Sequence, residues 1–164
     1  MKEKSINMLL VAMIMISLFA VMMIMFLYRA DLKFENTVTV RENGVTESVL
    51  KVKDLTLTPG AVRDYHVNLV CDATGMYHIY VDYEEIHNGG MKDFVDVRIM
   101  FGEQVIYDGC LKSLLDGEIV AFDGELDHAE PLVLSFYYEM PIETGNEAKG
   151  TSCDFDIVLT IRKS

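Results

Sequence analysis

From Ser48 onward the apolar residues of this 164-residue chain recur at every second position, not every third or fourth. Tyr65, Val67, Leu69 and Cys71 alternate with Asp64, His66 and Asn68, and Tyr77, Ile79, Val81 and Tyr83 alternate with Met76, His78, Tyr80 and Asp82. The same rhythm runs through Val95, Val97, Ile99 and Phe101, and again through Cys153, Phe155, Ile157, Leu159 and Ile161. Successive side chains of a strand point to opposite faces, so this period marks sheets with one packed and one wet side. Leu132 to Tyr138 is a more continuous apolar strand, which Met140-Pro141 ends because Pro has no ladder donor. Turn signals at Pro59-Gly60, Asp72–Gly75, His87–Gly90, Gly102-Glu103 and Glu143–Glu147 separate seven or eight short strands. Between them, Cys110–Leu115 suits one helical or irregular turn, Glu118–Phe122 a short strand, and Asp123–Glu130 an acidic loop. The fold class expected for residues 48–164 is all-β, an antiparallel β-sandwich or jelly roll.

Ahead of this pattern lies a different one. Met8 to Tyr28 holds 21 residues without a charge, and Ser17 is its only hydroxyl before Tyr28. About 20 such residues in a helix cross the hydrocarbon core of a bilayer. Lys2 and Lys4 precede the run, which places the N-terminus in the cytoplasm and Asp31 onward outside. A cleaved secretory signal is the alternative, but its apolar region runs about 7–15 residues and ends at a small-x-small site. Here Ala20 sits mid-run, and Ala30 has Tyr28 two residues before it. Residues 1–30 therefore read as a retained signal-anchor, a single transmembrane helix with the membrane as partner through residues 8–28. If the segment is cut, the protein is secreted. Residues 31–47 are polar, with an Asn43-Gly44 turn signal, and read as an extracellular tether or donor segment with an extended piece at Thr37–Val40.

Charge divides at the same point. Of 14 basic and 26 acidic residues, the first 30 account for Lys2, Lys4, Arg29 and Glu3, leaving 11 basic and 25 acidic beyond them, a net of −14. Such a surface repels phosphate backbones, which excludes nucleic acid as a partner, and it suits solubility or a divalent cation.

No residue pattern here carries a known reaction. His66, His78, His87 and His128 lie far apart, without the i, i+4 pair of a helical zinc protease. His66 and His78 are candidate metal ligands if their strands are neighbours, and Asp123 and Asp127 offer hard oxygens without EF-hand spacing. Surface histidines and a solvated acidic turn are the plainer readings. Ser113 has no His nearby in sequence, and nucleophile-elbow, P-loop and dinucleotide motifs are missing, so no catalytic residue and no cofactor is assigned. Cys71, Cys110 and Cys153 allow one disulfide between two of the three, or three reduced thiols, with no C-x-x-C spacing.

The last third, LVLSFYYEMP, then ETGNEAKG, then SCDFDIVLTIRK, resembles the end of the TasA/camelysin family of secreted jelly-roll proteins. Leu55 to Gly60 followed by Tyr65 to Leu69 also looks like that family's Leu-x-Pro-Gly turn and next strand. The resemblance implies an extracellular Gram-positive protein of the cell surface or biofilm matrix, self-associating or joining other matrix proteins. In fibre-forming members it implies an N-terminal segment that completes the next subunit's sheet, for which Asp31–Val40 is the counterpart. Tyr28-Arg29-Ala30-Asp31 departs from the family's cleavable signal and aromatic-rich mature start. Camelysin-type members imply a surface metalloendopeptidase as the competing function, and a ligand-binding module whose strand tyrosines stack on a sugar is a third.

Overall fold

The computed structural model describes residues 35–164. The signal-anchor expected over residues 1–30 lies outside them. Among the described residues no helix is long and apolar enough to cross a membrane.

Nine strands follow in order: β1 Glu35–Val40, β2 Val45–Leu55, β3 Val62–Cys71, β4 Gly75–Asn88, β5 Asp96–Phe101, β6 Gln104–Cys110, β7 Val120–Leu126, β8 Leu132–Glu139 and β9 Cys153–Lys163. One short helix, α1 Leu111–Leu115, links β6 to β7. The strands make two sheets, β1-β3-β8-β5-β6 and β2-β9-β4-β7. From β2 onward the chain passes from sheet to sheet except at the β5–β6 hairpin, so that β2, β4, β7 and β9 face β3, β5, β6 and β8. That strand order is a jelly roll. The sandwich expected from the period-2 pattern is therefore present.

Alternation does the packing. In β9, Cys153, Phe155, Ile157, Leu159 and Ile161 are all fully buried, while Asp154, Asp156 and Thr160 between them stay partly solvated. Tyr77, Ile79, Val81 and Tyr83 of β4 and Leu134, Phe136 and Tyr138 of β8 fill the same interior. Tyr83 and Tyr138 reach across from opposite sheets and join their hydroxyls at 2.9 Å, which satisfies both polar ends inside the core. Their rings lie 5.5 and 5.6 Å from that of Phe155.

Two expectations need correction. Residues 35–40 and 45–47, expected within a tether or donor segment with an extended piece at Thr37–Val40, are strand. β1 pairs with β3 in this chain's own sheet, and the pairing is parallel: Thr37 faces Asn68 and Val40 faces Cys71. Because β2 crosses to the other sheet, the chain returns to its first sheet running in the original direction, which a simple hairpin cannot do. The acidic loop expected at 123–130 begins only after Leu126, since β7 extends through it. Gly124 faces inward there, and a Cβ on it would meet the Phe101 ring at 2.5 Å, so glycine is what lets the two sheets close at this point.

Candidate functional site

β1 is an edge strand with little invested in the domain. It stands at the end of its sheet and has one neighbour, β3. Only Val38 and Val40 turn inward to buried positions, while Asn36, Thr37 and Thr39 are exposed. Beyond the ladder, Asp72 donates its N–H to the Val40 carbonyl at 3.0 Å. Such a strand is held by one ladder and two valines, less than a central strand paired on both sides.

The expected metal residues do not converge. His66 lies on β3 and His78 on β4, and these strands belong to different sheets, so the two histidines cannot share an ion across a ladder. His78 is bonded to Asp123 on the neighbouring β7. Asp127 accepts from the Thr74 hydroxyl at 2.9 Å and from the Ala129 N–H at 3.0 Å. The Ala129 amide, then Thr74, holds the Asp127 carboxyl below its ordinary range. Among the described residues, no three His, Cys, Asp or Glu side chains are placed to hold a metal.

His66 instead has partners that its sequence surroundings only half disclose. Its Nε2 lies 2.7 Å from Asp64 Oδ2, and its Nδ1 lies 2.9 Å from the Ser135 hydroxyl on β8. A neutral ring that donates from Nε2 to the carboxylate leaves Nδ1 to accept from Ser135. Asp64, two residues away, was visible in the alternating pattern. Ser135 lies 69 residues away and is known only through the β3–β8 register, in which it faces His66. Ser, His and Asp in a hydrogen-bonded row suggest acyl transfer, but that chemistry also needs donors aimed at an oxyanion. Ser135 is buried in a strand paired on both sides, with His66 and Met100 as its neighbours. Its strand pairs on both sides, and the row joins β3 to β8.

The three cysteines are free. Cys71 faces Val40, Cys153 faces Leu55 and Asn88, and Cys110 faces Asp96, so none meets another across a ladder, the arrangement of the three-thiol alternative. Burial raises the thiol pKa of Cys71, and pushes that of Cys153 up to about 11. Cys110 is exposed, and the Ser113 hydroxyl 3.3 Å from its sulfur lowers its pKa.

At one end of the sandwich, Asp93, Phe94 and Asp96 stand opposite Pro141, Glu143, Thr144, Gly145 and Glu147 around an open cleft of about 380 Å³. Lys112 bonds Asp93 at 2.8 Å and holds its carboxyl below the ordinary range. Only Glu143–Glu147 falls in a turn expected from the sequence, and the meeting of the two segments depends on the fold.

No family model matches the sequence, and no curated protein matches it. Solved structures do. FLHE is 17% identical with a TM-score of 0.44, over 74% of this chain and 100% of that one. The insecticidal delta-endotoxin Cry8Ea1 of Bacillus thuringiensis is 10% identical with a TM-score of 0.39, over 78% of this chain but only 25% of the toxin. A family 35 carbohydrate binding module of Clostridium thermocellum is 9% identical with a TM-score of 0.37, over 72% of this chain and 98% of the module. Likeness at this level carries no function across.

Proposed function

We propose that the protein is a non-catalytic β-sandwich of the cell surface, tethered by residues 8–28, which assembles with further copies or matrix proteins by exchanging β1. The observation that carries this reading is the place of β1: an edge strand, paired on one side only and contributing two buried valines, that begins seven residues after Tyr28 closes the apolar segment. Main-chain pairing needs only a free edge of matching length, so β1 of one copy can replace β1 of the next along β3. The resemblance to the TasA/camelysin family agrees with it.

The test compares residues 31–164 with the same domain lacking residues 31–40, by size-exclusion chromatography and electron microscopy. Fibres or assemblies larger than a dimer are expected only where residues 31–40 are present. Added peptide spanning residues 35–40 is expected to bind the shortened domain. A strictly monomeric domain at high concentration, with or without these residues, overturns the reading.

The cleft between Asp93 and Glu147 favours a second function, a ligand-binding module. A glycan array without hits removes its carbohydrate form.

A further inference from the structure

β2 is an open edge of the second sheet, and its free side is protected along only half its length. Edge strands usually guard against pairing with charge, Pro or bulges. In β2 the guards gather late: Lys51, Lys53 and a register shift between Val52 and Leu55, where Asp54 takes φ 51°. From Val45 to Val52 the pairing with β9 is unbroken. Val45 and Val49 stand 57% and 50% exposed on the outer face, large for β-branched residues on an uncovered edge.

The outward residues are Val45, Glu47, Val49, Lys51 and Lys53, while Leu50 and Val52 face the core. Glu47 and Lys51 thus flank Val49 symmetrically, with opposite charges. Among the described residues neither belongs to an ion pair. We infer that β2 pairs antiparallel with β2 of a second copy about a two-fold axis at Val49. The four-stranded sheets of two molecules then join into one of eight strands. In this register Val49 meets Val49 of the second copy, and Glu47 of each meets Lys51 of the other, giving two ion pairs across the axis. Recentring on Glu47 or on Lys51 would set like charges face to face, which is unfavourable. Recentring on Leu50 needs the shifted stretch at Asp54 to carry the Glu47–Lys53 contact. The charge pattern therefore selects both the partner, a copy of itself, and the register. A self-complementary patch of this kind gives a closed dimer, not an open chain.

This pairing is independent of the exchange of β1, which uses the edge of the other sheet. Its test uses the full-length chain in lipid vesicles, with Val49→Cys in a Cys110→Ser background under mild oxidation. A disulfide-linked dimer is expected at position 49, and much less from Ala121→Cys on β7, the opposite edge of the same sheet. Glu47→Lys alone and Lys51→Glu alone should each cut the cross-linked fraction by about tenfold, because each sets like charges opposite one another. The double variant should restore it, since the swap preserves complementarity. Melting curves on all variants show whether the domain remains folded. Equal cross-linking at positions 49 and 121, single variants that cross-link like the parent, or a folded double variant that stays as low as the singles would overturn the proposal.

Discussion

β9 and β1 are both strands of this sandwich, yet the molecule treats them in opposite ways. β9 lies between β2 and β4, pairs along nearly its whole length on both sides, and turns five fully buried side chains into the core. β1 has six residues, one neighbour and two buried valines. Each residue of β9 is fixed by two ladders and a packed interior, while β1 is fixed by one ladder and little else. Stability thus resides in the centre of the fold, and the exchange proposed for β1 asks little of that centre.

The comparison can be broken first at the centre. Phe155→Ala should cost about 3–5 kcal/mol in chemical denaturation, since it empties a site ringed by Tyr83 and Tyr138. A loss near that of an edge valine would show that β9 is not the keystone. Tyr138→Phe keeps the ring but strands the Tyr83 hydroxyl in the core, and about 1–3 kcal/mol should be lost. Val40→Ala, at the most buried position of β1, should cost about 1–2 kcal/mol and loosen β1 before the rest, read as faster amide exchange along β1.

Acid sharpens the comparison at the surface. The Asp127 carboxyl is held below its unfolded range by the Ala129 amide and the Thr74 hydroxyl. Its contribution is complete above the unfolded value of about 4 and disappears as pH falls through the folded value. Asp127→Asn should therefore lower the melting temperature modestly at neutral pH, leave it unchanged once the pH is below the folded value, and so flatten the acid limb of the profile. The smallest effect on stability belongs to Cys110. In the folded protein, iodoacetamide should modify Cys110 well before Cys71 or Cys153, measured by mass spectrometry, with no change in melting temperature.

Much of the sandwich was legible because β4, β5 and β9 place their apolar residues strictly at alternate positions, and that pattern by itself assigns a face. β1 was not legible as a full strand of the sheet. Glu35-Asn-Thr-Val-Thr-Val offers two core residues, and its conformation is supplied by β3, which the chain reaches only after β2. Asp123–Leu126 read as a loop because Asp123 and Glu125 dominate its composition. Its strand is made by the ladder with β4, and Gly124 leaves the room that the distant Phe101 ring fills. The His66–Ser135 contact and the cleft between Asp93 and Glu147 are likewise products of topology, joining residues that no local pattern connects. The self-complementary charges of β2 were present in the sequence throughout, but their meaning required knowing that β2 has an open side.

The place of β9 also governs the order in which the domain can be completed. β2 and β4 lie in one sheet yet do not touch, and the strand that joins them arrives about a hundred residues after β2, as in the pairing of Val49 with Val158. Such distant pairing makes closure slow. Until β9 has been synthesised, half of the sandwich has no middle, and its apolar faces stay open to chaperones or to misfolding.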